Sequence, residues 1–552
     1  MSKQNGQESN DGQKKRWTPN KQRTVRSKKS FDQKKVEHLV SEDKPVYRGE
    51  LDPRQKDPDR KPRSISFSEQ KVMDKAARLA EAEADNGPLG KLATHTDFRD
   101  LFEKCNASPG RLGALYATNQ VRRRKAYAQE IIEASIDTSR LSTEDRAFAT
   151  LLTLGVVSTS GALDEVINRC ISSPRDIKND VRDAMRISTY EIIFLKKAPH
   201  AAVDQGVELV KAVAPSAGNL ANAVLHRILE CSDKFPFGDP KKDIEALALL
   251  CGFPTWLARQ LVVDLGAQSA YNLMKASNDA APLFIAVNAL QATDSEIVSL
   301  FEEVGAVLEP AESGGVPVPG CYRVSNTRSL SDGRIQRLFA QGKILVSDAS
   351  AQAVARCALE DGKPDTVLEV GSGRGTKTLL LQNLSHRLYG EQLVLSCMDS
   401  HGFKTDLLRE RAKTYGADIN DFITGNATRL DSVIADRNFS TVFIDAPCSG
   451  LGTLRRHHEI RWRLQPEQID ELSDIGLALL KSASSHVEPG GQIIYSTCTV
   501  TYAENNGVVK RFLESKEGES FKLAPIHGKA CFASMLTDGS PDAHFAAKFV
   551  KQ

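Results

Sequence analysis

"DTVLEVGSGRGTKTLLLQNLSHRL", residues 365–388, decides how this chain is read. A β-type run ends at Val370, Gly371, Gly373 and Gly375 follow, and a helical run begins near Lys377. Glycines at such a turn let the backbone pass close to a ligand, while the helix N-terminus offers free N–H groups. The acidic Glu369 stands two positions before the first glycine.

Moving outward, β-type runs alternate with helical ones: "LVLSCMD" (393–399), "KTDLLRERAKTYG" (404–416), "STVFIDAP" (440–447) and "GGQIIYSTC" (490–498). This alternation predicts a parallel, doubly wound α/β domain over 346–552, with ligands beyond the carboxyl ends of its strands. Three ligand classes compete for the glycine loop. A dinucleotide fingerprint and a GxxxxGK[ST] P-loop both require glycine where Thr376 stands, although Lys377 and Thr378 keep a nucleoside triphosphatase in play. An acid before G-x-G-x-G is similar instead to the S-adenosylmethionine loop of Rossmann-like methyltransferases. Asp399, at the next strand end, suits ribose hydroxyls, and Asn426 in "ITGNAT" suits an adenine edge; turn or helix capping is the ordinary alternative for both.

Of the ten cysteines, Cys448 and Cys498 each follow a predicted strand and so reach the ligand-bearing edge. Most of the other eight read as small buried hydrophobes. Beside a methyl donor a thiol has a definite use: C5 of cytosine is too electron-poor to attack a methyl sulfonium unaided. Thiolate addition at C6 makes C5 nucleophilic, splitting one hard step into two. One cysteine attacks and a second acid/base group helps release.

Upstream, residues 237–345 mix helices such as "PTWLARQLVVDLG" with short strands such as "PLFIAVNAL" and "CYRVSN", predicting a small α+β segment. Residues 120–236 carry apolar positions at helical spacing, among them Ala128, Ile131 and Ile132, then Leu220, Ala223, Val224 and Ile228, predicting an all-α domain. Residues 66–119 read as a connector helix ("EQKVMDKAARLAEAEAD") and linker. Residues 1–65 are polar and basic; the first 64 hold 18 Lys and Arg against 10 Asp and Glu, in a chain whose net charge is only +2. They read as a disordered arm able to bind nucleic acid by counterion release, or as a solubilising tail.

Composition narrows the class. A chain of 552 residues needs more than one core. Its 40% hydrophobic and 26% charged content predicts a soluble protein without a membrane span. The absence of a secretory signal and of CxxC pairs predicts a cytoplasmic protein with neither disulfides nor a metal site. A monomer is expected.

Several motifs together resemble one family. "DAPCSGLGTLRRHHEIRW" (445–462), "GGQIIYSTCTVTYAENN" (490–506) and "VSDASAQ" (346–352) resemble the RsmB/Sun family of ribosomal RNA cytosine-5 methyltransferases, and "LKKAPHAAVDQGVELVKAVAPSAGNLANAVLHRIL" (195–229), with His200 and Asn222, resembles the helical RNA-binding domain of NusB-type factors. The resemblance covers about residue 110 to the C-terminal "HFAAKFV". It implies a NusB-like all-α domain, a small α+β segment and a Rossmann-like class I methyltransferase domain acting on small-subunit ribosomal RNA. It implies that Cys498 is the nucleophile, that Cys448 assists release, and that Asp445 lies against cofactor and target base. S-adenosylmethionine would lie on Glu369, Gly371, Ser372, Gly373, Arg374, Gly375, Thr376, Lys377, Asp399, Asn426 and Asp445.

The loop departs from the family pattern D-x-C-A-A-P-G-G-K-T: Glu369 replaces the first acid, Gly371 the cysteine, Arg374 the proline and Thr376 the second glycine, and Asn426 replaces a further acid. The target cytosine must be single-stranded or flipped out to reach such a pocket. Arg455, Arg456, His457 and Arg461 are assigned to flanking RNA phosphates, and Trp462 to packing. A non-catalytic RNA-binding or ribosome-assembly protein, and less so a P-loop enzyme, stay open as alternatives.

Overall fold

The computed structural model describes residues 105–137 and 139–552. The basic arm and connector helix expected before residue 105 lie outside the described residues.

Five long helices come first: α1 (Pro109–Arg124), α2 (Thr143–Arg169), α3 (Asn179–Ile193), α4 (Pro199–Val213) and α5 (Gly218–Cys231). The helical domain starts at 109 rather than 120, because Leu112 and Leu115 of α1 bury in the same core as Leu152, Leu163, Met185 and Leu225. In α5 Val224 and Ile228 are buried as expected, with Ala221 and Leu225 beside them, while Leu220 and Ala223 are exposed. His200 and Asn222 are both exposed. Helix α2 is 27 residues long and apolar enough to cross a membrane by length and composition. Its buried side chains, from Ala149 to Ile167, pack against the other helices of this domain.

Three helices, α6 (Ile244–Cys251), α7 (Thr255–Leu265) and α8 (Ala267–Ala276), lead to a four-stranded sheet of β1 (Phe284–Val287), β2 (Leu308–Ser313), β3 (Val316–Val324) and β4 (Ile344–Val346), ordered β2-β3-β1-β4. Its pairings are antiparallel.

The last domain contains β5 (Val367–Val370), β6 (Leu395–Asp399), β7 (Asp421–Thr424), β8 (Phe439–Asp445), β9 (Val487–Thr497), β10 (Phe521–Ala524), β11 (Phe532–Ala533) and β12 (Phe545–Lys551). The order β10-β12-β9-β8-β5-β6-β7, with β11 on β12, makes an eight-stranded sheet. Strands β5 to β9 pair in parallel, as the βα alternation requires. The expectation of a wholly parallel sheet is corrected at one edge, where β12 runs antiparallel to β9 and to β10. No helix lies between β10 and β12, and an antiparallel pair needs no crossover. Helices cover both faces, with Leu379, Leu380 and Leu384 in one core and Leu479, Leu480 and Phe512 in the other. Every predicted site residue from Glu369 to Cys498 lies in this domain, at strand ends, in the loops that follow or, for Thr376, Lys377 and Arg461, in a helical turn.

Candidate active site

The turn after β5 is built on three glycines in the left-handed region, Gly371 at φ 82°, Gly373 at 55° and Gly375 at 86°. Gly371 and Ser372 donate their N–H groups to the Met398 carbonyl, 2.9 Å each, and Gly373 donates to Asp399 Oδ2 at 3.0 Å. A Cβ on Gly371 would overlap the Asp445 carbonyl oxygen, and one on Gly375 would overlap the Leu408 side chain. The helix Thr376–Tyr389 begins directly behind this turn. Asp399 also accepts from the His401 N–H at 3.0 Å and stands 3.5 Å from Lys404 Nζ. The donor set fits a nucleoside ligand: a side-chain-free cradle at a helix N-terminus with a carboxylate at the adjacent strand end. Asn426 caps a short turn, its Oδ1 accepting from Thr428 N–H at 3.0 Å and Thr428 Oγ1 at 2.9 Å.

Glu369 is wholly buried; Thr378 donates to its Oε2, and Oε1 has no partner among the described residues. Burial pushes its pKa up to about 8, against the Thr378 bond, which lowers it. The proton is therefore bound more tightly in the folded protein than in the unfolded chain, where the pKa is about 4.3. The stability this contributes is fully present below that value and is lost as pH rises through about 8. Glu369→Gln cannot ionise, so its melting temperature is expected to gain on the parent's between about pH 5 and 8 and to gain no further above that. The gain accrues at roughly 1.4 kcal/mol per pH unit between about 4.3 and about 8 and levels off above about 8. Parallel melting profiles would show that Glu369 is not held protonated.

The two loops after β8 and β9 converge. Cys448 Sγ and Cys498 Sγ are 3.2 Å apart, and the Cys498 N–H donates to Cys448 Sγ at 3.3 Å. Lys377 reaches across from its helix to pair with Asp445 at 2.7 Å. Burial works against the Lys377 charge, but Asp445 and the two cysteines outweigh it and keep the ammonium form. The two thiols are driven apart. The hydrogen bond from Cys448 holds Cys498 below the ordinary thiol range, against burial and with the help of Lys377. Cys448 is pushed well above that range by the same bond and by burial. Of the two thiols, Cys498 is therefore the one that loses its proton more readily.

Sequence reading did not single out what holds these loops together. Glu504 accepts from Ser449 N–H and Ser449 Oγ, each at 2.6 Å, and from Thr501 Oγ1 at 2.7 Å, while Ser449 and Thr499 hydroxyls meet at 2.7 Å. One buried carboxylate thus ties the neighbours of both cysteines. Asn505 adds a second tie, accepting from Thr497 Oγ1 at 2.6 Å and donating to the Thr499 carbonyl at 3.0 Å. The available signal was "AENN" shortly after Cys498, an acid and amides inside an otherwise apolar segment.

The residues assigned to RNA phosphates are corrected. Arg461 is 0% exposed and donates to Asn278 Oδ1 at 2.7 Å and to the Ser277 carbonyl at 3.2 Å. Arg455 is buried and donates to the carbonyls of Ala276, Ser540 and Thr537. Arg456 pairs with Asp542 at 2.7 Å and Asp348 at 3.2 Å. His457 is half-buried with its ring 4.8 Å from that of Tyr127, and burial lowers its pKa. A loop without regular structure leaves carbonyls unpaired, and guanidinium forks satisfy several at once. Trp462 packs, as expected, donating its indole N–H to the Ser158 carbonyl at 2.8 Å. Lys377 is committed to Asp445, so the P-loop reading loses its lysine. Among the described residues, no group of three or more His, Cys, Asp or Glu could hold a metal ion.

Comparison with known proteins points to a methyltransferase family. A family model described as 16S rRNA methyltransferase RsmB/F matches residues 356–548, and one for the NusB family matches residues 110–230. A putative methyltransferase of Mycobacterium tuberculosis is 30% identical over 431 residues, covering 76% of this chain and 88% of that protein. A probable ribosomal RNA small subunit methyltransferase B of Synechocystis is 29% identical, covering 77% and 94%. In fold, the crystal structure of PH0851 superposes with a TM-score of 0.65 at 22% identity, covering 81% of this chain and all of that one.

Proposed function

The chain belongs to the RsmB/F family of 16S ribosomal RNA methyltransferases, and from that premise we propose that it methylates C5 of a cytosine in small-subunit ribosomal RNA through a covalent bond between Cys498 and C6. The observation that carries this reading is the pair of thiols, 3.2 Å apart, with the Cys498 thiol the more acidic of the two and the Lys377–Asp445 pair beside it. Methylation of an exocyclic amine or a ribose hydroxyl has no use for such a pair.

S-adenosylmethionine, the cofactor of this methyltransferase family, supplies the electrophilic methyl group. The turn from Gly371 to Lys377, Asp399, Asn426 and Asp445 would hold it. Cys498 Sγ forms a bond to C6, and the C5=C6 electron pair becomes available at C5 for the methyl group. C5 then loses its proton to solvent, the double bond re-forms, and the Sγ–C6 bond breaks with its electrons returning to sulfur. Cys448 stabilises the departing thiolate by donating the same S–H hydrogen bond that lowers the Cys498 pKa in the free enzyme. Asp445, oriented by Lys377, is placed to accept from the cytosine edge and so to hold the base in register.

The test is product identity. Small-subunit ribosomal RNA is incubated with the protein and methyl-labelled cofactor, digested to nucleosides and analysed by mass spectrometry. Label in 5-methylcytidine is expected. Label in N4-methylcytidine or a 2′-O-methyl nucleoside would end the proposal, and RNA binding without transfer would favour the assembly-protein reading.

A further inference from the structure

The segment that follows Cys448 has little structure of its own. It contains one short turn at Leu451–Thr453 and a single helical turn at Ile460–Arg463. It nonetheless touches the nucleophile's backbone, since the Gly452 N–H donates to the Cys498 carbonyl at 2.9 Å. Its position must therefore be set from outside.

Besides Glu504 at Ser449 and the partners of Arg455 and Arg456 in the last domain, it has two outside supports earlier in the chain. Leu451 and Leu454 bury in a core with Leu261 and Leu273 of α7 and α8, and Arg461 pins the segment to residues 277 and 278. On the other side is the helical domain. The Trp462 indole donates to the Ser158 carbonyl of α2, and His458 Nδ1 meets Ser158 Oγ at 3.1 Å. Arg463 donates to the carbonyls of Lys125 and Ala126, just past the end of α1, at 2.8 and 2.7 Å. The indole lies so close to α2 that a Cβ on Gly161 would overlap its six-membered ring. A glycine inside a 27-residue helix costs about 0.5–1 kcal/mol against alanine. Its use here is to admit the tryptophan.

We propose that Trp462, seated against Gly161 and Ser158, is a positioning residue through which the helical domain sets the place of the Cys448 loop for the release step. The proposal rests on the release role given to Cys448 above. It assigns the helical domain a part in turnover besides any part in holding RNA. Any shift of α2 against the Cys448 loop would then change the rate at which product leaves Cys498.

Two opposite substitutions test it: Trp462→Ala removes the seated ring, and Gly161→Leu expels it from the other side. Trp462→Phe keeps a ring but loses the N–H. Each is compared with the parent and with Cys448→Ala for cofactor affinity, kcat, KM and covalent protein–RNA adduct on denaturing gels. For Trp462→Ala and Gly161→Leu, kcat is expected to fall on the order of 10- to 100-fold, the loss associated with a displacement of about 1 Å in a reacting group. Cofactor affinity should stay within about twofold, adduct should accumulate, and Trp462→Phe should recover most of kcat, because packing rather than one hydrogen bond supplies most of a buried tryptophan's contribution. Should the leucine variant fail to fold, Trp462→Ala carries the test alone. A kcat equal to the parent's in folded Trp462→Ala overturns the proposal. So does a fall in kcat without adduct where Cys448→Ala accumulates it. If Cys448→Ala accumulates none, the release role itself fails and the proposal falls with it.

Discussion

Cys498→Ala is expected to lower methyl transfer by roughly a thousandfold or more, a loss of about 4 kcal/mol of transition-state stabilisation. The reason is electronic. Without a bond at C6, the C5 carbon has no electron pair to offer, and no other side chain in the site can supply one. Asp445 is paired with Lys377, and Cys448 holds its proton far above the ordinary thiol range. Cofactor binding should survive, because the Gly371–Gly375 turn is held by Met398 and Asp399, not by Cys498. Calorimetry with S-adenosylmethionine and transfer of labelled methyl to small-subunit ribosomal RNA measure the two separately. Unimpaired transfer by the alanine variant would rule out the covalent route.

Cys448→Ala should give the opposite picture, a protein that makes the bond and cannot break it. Two effects compete in this variant. Loss of the Cys448 hydrogen bond, the largest contribution lowering the Cys498 pKa, slows addition to C6; Lys377 still favours the thiolate. Loss of the same bond removes stabilisation from the departing sulfur at the last step. A charge-assisted hydrogen bond is worth about 1.5–3 kcal/mol, so each step slows by roughly 10- to 150-fold. The adduct accumulates because release is then the slower of the two steps. The expected result is multiple turnover reduced to little more than one event per protein, with methylated RNA remaining attached through Cys498 on a denaturing gel. The double variant Cys448→Ala/Cys498→Ala should form no adduct. Release at the parent rate from the single variant would transfer the role to another group.

How far these residues were legible follows from the range of the physics involved. Glycines at 371, 373 and 375 between a strand and a helix announce a cradle, because only glycine adopts those backbone angles at little cost. Strand-ending Asp399, Cys448 and Cys498 announce a shared edge, because parallel strands line up their carboxyl ends. By contrast, four basic or imidazole side chains after Cys448 suggested an RNA surface, and the fold gave two of the arginines to buried carbonyls. Local composition carries no information on which carbonyl a long side chain will reach. Glu504 was overlooked for a related reason, since its partner Ser449 is 55 residues away.

By itself, the amino-acid sequence determined the helical and α/β elements, the glycine turn and the placement of both cysteines at strand ends. Periodicity, turn chemistry and the right-handed βα crossover act over tens of residues and admit few alternatives. Only the tertiary structure decided that the thiols meet at 3.2 Å, that Cys498 is the more acidic of the two, and that Trp462 fastens the Cys448 loop to a helix 304 residues earlier in the chain. Those outcomes depend on desolvation and on contacts between distant segments, and such contacts come into being only once the separate domains pack together.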